Sequence, residues 1–161
     1  MPTISTALAT FVDPDEGMRV DAVSGSGFPV SFDTRAPDEG GVGPSPTEAV
    51  LAALAACTSM DVASIMRKKR QRIERYQIAV TAEKADEHPQ VFTSIVVEHQ
   101  IVGDVSADAV RRSVELSATS YCPVSAMLSR SVPIEHRYRL QRTADAAATR
   151  ELVVVTGPDA G

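Results

Sequence analysis

The sequence contains no tryptophan, and aromatic residues of every kind make up only 4% of it. A core built from it must therefore rest on Val, Ile, Leu and Ala. Two cysteines in 161 residues exclude a disulfide-framed scaffold. The three histidines, His88, His99 and His136, are dispersed and lack ligand spacing, so no metal site is expected from them. Met1 to Phe11 lacks the basic start and apolar run of a secretory leader. The longest apolar stretch, Ala49 to Cys57, falls well short of the ~20 residues needed to span a bilayer. Basic residues are outnumbered, and the formal charge of −5 weighs against a general affinity for nucleic acid or anionic membranes. These absences point to a cytoplasmic protein with neither nucleic acid nor membrane as partner. With 43% hydrophobic and 23% charged residues, the chain is expected to form a single domain over 1–161 with a real core.

The first 35 residues alternate with period two. Ile4, Thr6 and Leu8 share a side, as do Met18, Val20 and Ala22, and then Val30, Phe32 and Thr34. Turns fall at Asp13 to Gly17 and Ser24 to Gly27, so two or three antiparallel strands are expected. After a Gly- and Pro-rich loop, Ser45-Pro46-Thr47-Glu48 reads as a helix start: Ser45 caps, Pro46 suits the first helical position, and Glu48 completes a capping box. The helix should run to about Arg70. Its first half, Ala49 to Ala56, has almost no polar face, which predicts burial. Its far end is basic (Arg67, Lys68, Lys69, Arg70, then Arg72) and reads as a solvated helix C-terminus whose cations suit the macrodipole, with an anion or nucleic-acid patch as the alternative.

Two strands follow, one through Tyr76, Ile78, Val80 and Ala82, the other from Val91 to Ile101. A second helix is expected from about Ser106, with Ala107, Val110, Val114, Ala118 and Tyr121 at helical spacing. Cys122-Pro123 breaks it and starts a short helix. Ile134, His136, Tyr138 and Leu140 share one strand face. His99 and His136 are expected to be ordinary sheet residues. Residues 142–161 read as a linker with a possible terminal strand at Leu152 to Val155. The class is α+β.

Both cysteines sit where a helix could tune them. Cys122 occupies a helix N-cap, where free N–H groups and partial positive charge favour thiolate. Cys57 lies mid-helix behind an apolar run, an environment that by itself disfavours a charge. A thiolate there needs a cation from elsewhere, and Arg35 is the best candidate because a guanidinium stays charged when partly buried. Asp61 follows Cys57 by one helical turn. A carboxylate would oppose thiolate formation, so its hydrogen bonds should go elsewhere. Inert, buried thiols are the plain alternative.

Phe32-Asp33-Thr34-Arg35, the glycine-rich loop, Ser45 to Glu48 and Ala53-Leu54-Ala55-Ala56-Cys57-Thr58 together resemble the signature of the OsmC/Ohr family. Tyr121-Cys122-Pro123-Val124-Ser125-Ala126 is similar to that family's second cysteine motif. Asp61 to Thr93 resembles the OsmC-like branch rather than Ohr itself, and the likeness covers roughly 18–140. The resemblance implies antiparallel sheets wrapped around a long buried cysteine-bearing helix, in an intertwined homodimer. It also implies thiol-dependent reduction of organic hydroperoxides as an antioxidant activity. Cys57 would attack and become a sulfenic acid, and Cys122 would condense with it to a disulfide. An external thiol, expected to be a dithiol, would reduce that disulfide. Arg35 would hold the thiolate and the developing oxyanion, with no metal or organic cofactor.

One position departs from the family pattern. A glutamate stands ten residues before the first cysteine in the better-studied members, and here that residue is Thr47. Glu48, at about 100° per residue, points opposite Cys57 on a straight helix, so it either caps the helix or, if the helix end bends, orients Arg35. The departure keeps a second reading open, in which an OsmC-fold protein senses oxidant or binds an electrophile without efficient turnover.

Overall fold

The computed structural model describes residues 2–158, which form two compact units that divide between Val50 and Leu51. The first carries a three-stranded antiparallel sheet of β1 (Ala7–Phe11), β2 (Val20–Ser24) and β3 (Pro29–Phe32), in that order. Leu8 pairs with Val23, and Ala22 with Val30. The tight β2–β3 turn closes where Ser24 N–H donates to the Phe28 carbonyl, and Gly27 there adopts a φ of 90° that suits glycine. Alternation predicted these strands, yet both faces are poorly covered: Leu8 is 72% and Phe28 74% exposed.

The second unit is built on a four-stranded sheet, β4 (Arg75–Lys84), β5 (Phe92–Val102), β6 (Ile134–Gln141) and β7 (Thr149–Thr156), ordered as numbered. The expected terminal strand is therefore present, paired antiparallel to β6. Not every pair is antiparallel as expected: β5 and β6 run parallel, with Val97 opposite His136. A parallel neighbour requires a crossover, and residues 103–133 provide one. They hold α2 (Ala107–Leu116), a π-helical turn (Ser117–Tyr121) and α3 (Pro123–Leu128). Ser106 caps α2 by accepting from Ala109 N–H.

The long helix, α1 (Pro46–Lys68), starts in the first unit and continues through the second. Its capping box is formed: Ser45 N–H donates to the Glu48 carboxylate at 2.8 Å, and Glu48 N–H to Ser45 Oγ at 3.4 Å. Arg70, with φ 55°, ends it two residues beyond Lys68. Burial differs from the expectation. Only Leu54, Thr58, Val62 and Met66 are fully buried, a single i+4 stripe, while Met60 is 71% exposed. Within one chain the sheet covers one face of this helix and no more. Among the described residues α1 alone is long and apolar enough to cross a bilayer, a property it shares with core helices of soluble proteins.

The stripe spans two core clusters. Val62 and Met66 pack with Ile101, Val110, Val114, Tyr138 and Leu140. Leu54 packs with Ile95, Val97, Val132, Ile134 and Cys122, and Cys57 lies against that second group. At about 1.5–3 kcal/mol for each fully buried large aliphatic side chain, this core fixes the cysteine region between helix and sheet.

Candidate active site

Cys57 rides on α1 half-buried, and Cys122 sits opposite it, 2% exposed at the start of α3. Both are free thiols, and Cys57 is near enough to hydrogen-bond the Cys122 side chain. The N-cap assignment of Cys122 holds: its Sγ accepts from Ser125 N–H at 3.3 Å. The expected consequence does not. Burial pushes the Cys122 thiol up to about 12, outweighing the lowering by Ser125 N–H, and contact with Cys57 adds to the rise. A single short helix with a long-range field cannot offset desolvation at a nearly closed site. Cys122 is thus held as a protonated thiol at neutral pH. In the native protein it should resist iodoacetamide at pH 8 while the half-exposed Cys57 is alkylated, so peptide mapping should find one label. Equal labelling of both would contradict the burial argument.

The turn that delivers Cys122 is π-helical. Cys122 N–H reaches back to the Ser117 carbonyl at 2.9 Å, five residues earlier. Ser117 is fully buried and ties this turn to α1 through its hydroxyl, which meets Thr58 Oγ1 at 2.8 Å and donates to Asp61 Oδ2 at 3.0 Å. Thr58 neighbours Cys57 in sequence, and Asp61 lies one turn on. The two cysteine-bearing segments are therefore fastened together by a buried hydroxyl–carboxylate cluster. Asp61 finds its hydrogen bond away from Cys57, as expected. Ser117 and Thr58 were not foreseen as site residues, because neither residue type nor spacing marks two small hydroxyls 59 positions apart. Beyond Asp61 runs a groove of about 400 Å³ lined by Asp61, Ser64, Ile65, Lys68, Lys69, Leu116 and Tyr121.

Arg35 and Glu48 belong to the first unit. Arg35 grips Asp33: Nη2 donates to Oδ2 at 3.0 Å, Nε to Oδ1 at 3.4 Å, and its backbone N–H also donates to Oδ1. Asp33 is only 2% exposed, and the Arg35 fork, aided by backbone N–H groups, holds its carboxyl down at about 2. The pairing is local, two residues apart in the bend after β3, where the Asp33 carboxylate also accepts the Thr34 and Arg35 backbone N–H groups. Glu48 accepts from both the N–H and the Oγ of Ser45, the capping alternative of the two considered. Since glutamine also serves in a capping box, Glu48→Gln should keep most of any peroxidase rate. The lost helix-dipole interaction should cost at most about 1 kcal/mol of stability. A tenfold rate loss at unchanged melting temperature would instead give Glu48 a part in the chemistry.

A mixed sheet crossed by a cysteine-bearing helix, with a second cysteine capping a short helix against it, defines a paired-thiol site on an α+β fold. Residues 37–137 match the family described as OsmC-like protein. Protein YhfA of Escherichia coli strain K12 is 37% identical over 126 residues, 78% of this chain and 92% of YhfA. The chain belongs to the OsmC-like family. An OsmC-like protein from Mycoplasma pneumoniae has the same fold at TM-score 0.73 and 19% identity, covering 87% of this chain and 99% of that one. An organic hydroperoxide resistance protein from Elizabethkingia anophelis follows it at TM-score 0.58 and 12% identity, covering 89% and 99%.

Proposed function

We propose that the protein reduces organic hydroperoxides with thiols as reductant. The observation that carries this is the contact between half-buried Cys57 and buried, protonated Cys122. Attack of the Cys57 thiolate on the terminal peroxide oxygen breaks the O–O bond, giving Cys57 sulfenic acid and an alkoxide that takes a proton to leave as alcohol. Cys122 then displaces water from the sulfenic sulfur, its thiol proton leaving with the hydroxyl, and a Cys57–Cys122 disulfide forms. An external dithiol reduces that bond and is itself oxidised. Arg35 is the proposed donor to thiolate and alkoxide. No metal or organic cofactor takes part.

Thiol loss after adding cumene hydroperoxide, with and without a dithiol, tests the proposal. Turnover supports it. A single equivalent consumed would favour an oxidant-sensing or electrophile-binding protein, a reading supported by Thr47 and by the capping role of Glu48. Unchanged thiols would leave both cysteines structural.

The protein is further proposed to work as a cytoplasmic homodimer, apart from nucleic acid and membranes. The exposed Leu8, Phe28 and Met60 and the part of α1 outside its buried stripe need a partner surface. Light scattering should find a dimer at micromolar concentration, and a stable folded monomer would count against this assembly.

A further inference from the structure

Six of the chain's sixteen Lys and Arg residues fall between positions 67 and 75, against one carboxylate, Glu74. This short segment is thus strongly positive in a chain of net charge −5. A solvated helix end accounts for Arg67 and Lys68, in the last turn of α1. It does not account for Arg72, on the connection, or Arg75, the first residue of β4. Yet Arg67, Arg72 and Arg75 all line one cavity of about 330 Å³, which Glu74 also lines and whose apolar wall is Met66, Ile73 and Tyr76, so three cations face a single carboxylate there. Among the described residues, none of these three guanidiniums forms an ion pair, although five other arginines do.

The backbone carrying them is pinned at several points. Arg70 N–H donates to the Arg67 carbonyl and Gln71 N–H to that of Met66, both at 2.9 Å. Gln71 Oε1 accepts from Ser106 N–H at 2.7 Å, and Glu74 N–H reaches the Val102 carbonyl. Gly103, at φ 145°, lets the chains close up, since a Cβ there would meet Glu74 N at 3.1 Å and Arg72 O at 3.2 Å. Tyr76 is anchored by its hydroxyl, 2.6 Å from His99 Nδ1. Three of the last four α1 carbonyls, those of Ile65, Met66 and Arg67, each accept a backbone N–H. Cations that cluster without partners on a fixed frame repel one another, and a bound anion relieves that repulsion.

We infer that the Arg67–Arg72–Arg75 cavity is a binding site for a small phosphorylated molecule, separate from the cysteine pair. Three planar forks match the geometry and charge of one or two phosphate groups. The cavity volume is at the small end of ligand pockets, and the Met66–Ile73–Tyr76 wall offers the ligand's organic part an apolar surface. Nucleotides and other phosphate esters share this chemistry.

Titration calorimetry on the full chain at physiological ionic strength decides it, with inorganic pyrophosphate, ADP and glucose 6-phosphate as separate probes. Pyrophosphate should bind with Kd below about 1 mM. Tighter binding of ADP would identify a nucleotide site, and tighter binding of glucose 6-phosphate a non-nucleotide one. Arg72→Gln should weaken binding threefold or more, and the triple change to Gln at 67, 72 and 75 tenfold or more. Arg112→Gln, which removes a cation already paired with Glu115, should leave it unchanged, as should Cys57→Ser. No binding of any probe, equal loss in Arg112→Gln, or binding of nucleic-acid polymers alone would overturn the assignment.

Discussion

Cys57→Ser is expected to abolish peroxide consumption, at least a thousandfold in rate, which corresponds to about 4 kcal/mol of transition-state stabilisation. The expectation rests on access and on chemistry. Cys57 is half-exposed on α1, whereas Cys122 is closed off and held protonated, so Cys122 cannot stand in as the attacking sulfur. A serine hydroxyl at 57 keeps the helix and the packing against Leu54 and Ile95 but is far less nucleophilic towards an O–O bond. Cys122→Ser should behave differently. Cys57 would still be oxidised once, and with no thiol to capture the sulfenic acid it would climb to sulfinic acid under excess peroxide. Mass spectrometry would show one equivalent of peroxide consumed, then irreversible oxidation confined to Cys57. Retained turnover in Cys57→Ser, or sustained cycling without Cys122, would remove the two-thiol mechanism.

The protein shows which parts of such a site a sequence reveals. The capping box at Ser45 and Glu48 and the N-cap at Cys122 were legible because each is a local device, closed within three residues. Strand faces were legible for the same reason: alternation puts Ile134, His136, Tyr138 and Leu140 on the buried side, and there they are. Quantities that depend on distant chain were not. N-cap geometry said thiolate at Cys122, but desolvation by a core drawn from α1, β5 and β6 decides the matter. The π-turn at Ser117 to Tyr121 adds about one residue to a single turn, too local a change for periodicity to reveal it. The parallel pairing of β5 with β6 is set by the crossover rather than by either strand's pattern. An all-round apolar helix announces that cover is needed without saying that one chain supplies only part of it.

The histidines carry the second large expectation. Both are sheet residues on the inner face, with no exposed surface. His99 Nδ1 meets the Tyr76 hydroxyl at 2.6 Å, and His136 Nε2 lies 3.5 Å from Ser125 Oγ and 3.4 Å from Thr156 Oγ1. Among the described side chains, His99 Nε2 and His136 Nδ1 have no hydrogen-bond partner. A protonated ring needs two acceptors and a counter-charge, and neither site supplies them. Burial therefore lowers His99 to about 3, with His136 nearby adding to the shift, and burial lowers His136 to about 4. The sign follows from linkage. Both rings are neutral above the ordinary value of 6.5 whether the chain is folded or not, so they add no pH dependence there. Below 6.5 the unfolded chain takes up two protons that the native chain refuses, and stability falls until the folded values are reached. Asp33 cannot account for a loss in this window, because the stability it contributes is lost only as pH falls from 3.8 towards about 2. Between pH 6 and 4.5 the unfolding free energy should therefore drop by up to ~2.7 kcal/mol per pH unit. That gives roughly 5 kcal/mol at pH 4.5, a large part of what holds a typical domain together. Urea midpoints measured at fixed protein concentration from pH 7.5 to 4.5 would show this decline. His136→Leu should halve the slope to ~1.4 kcal/mol per unit, since one of the two protons is then no longer at stake. A urea midpoint that stays level down to pH 5 would mean that these rings accept protons in the folded chain, and the buried, partnerless nitrogens would need another explanation.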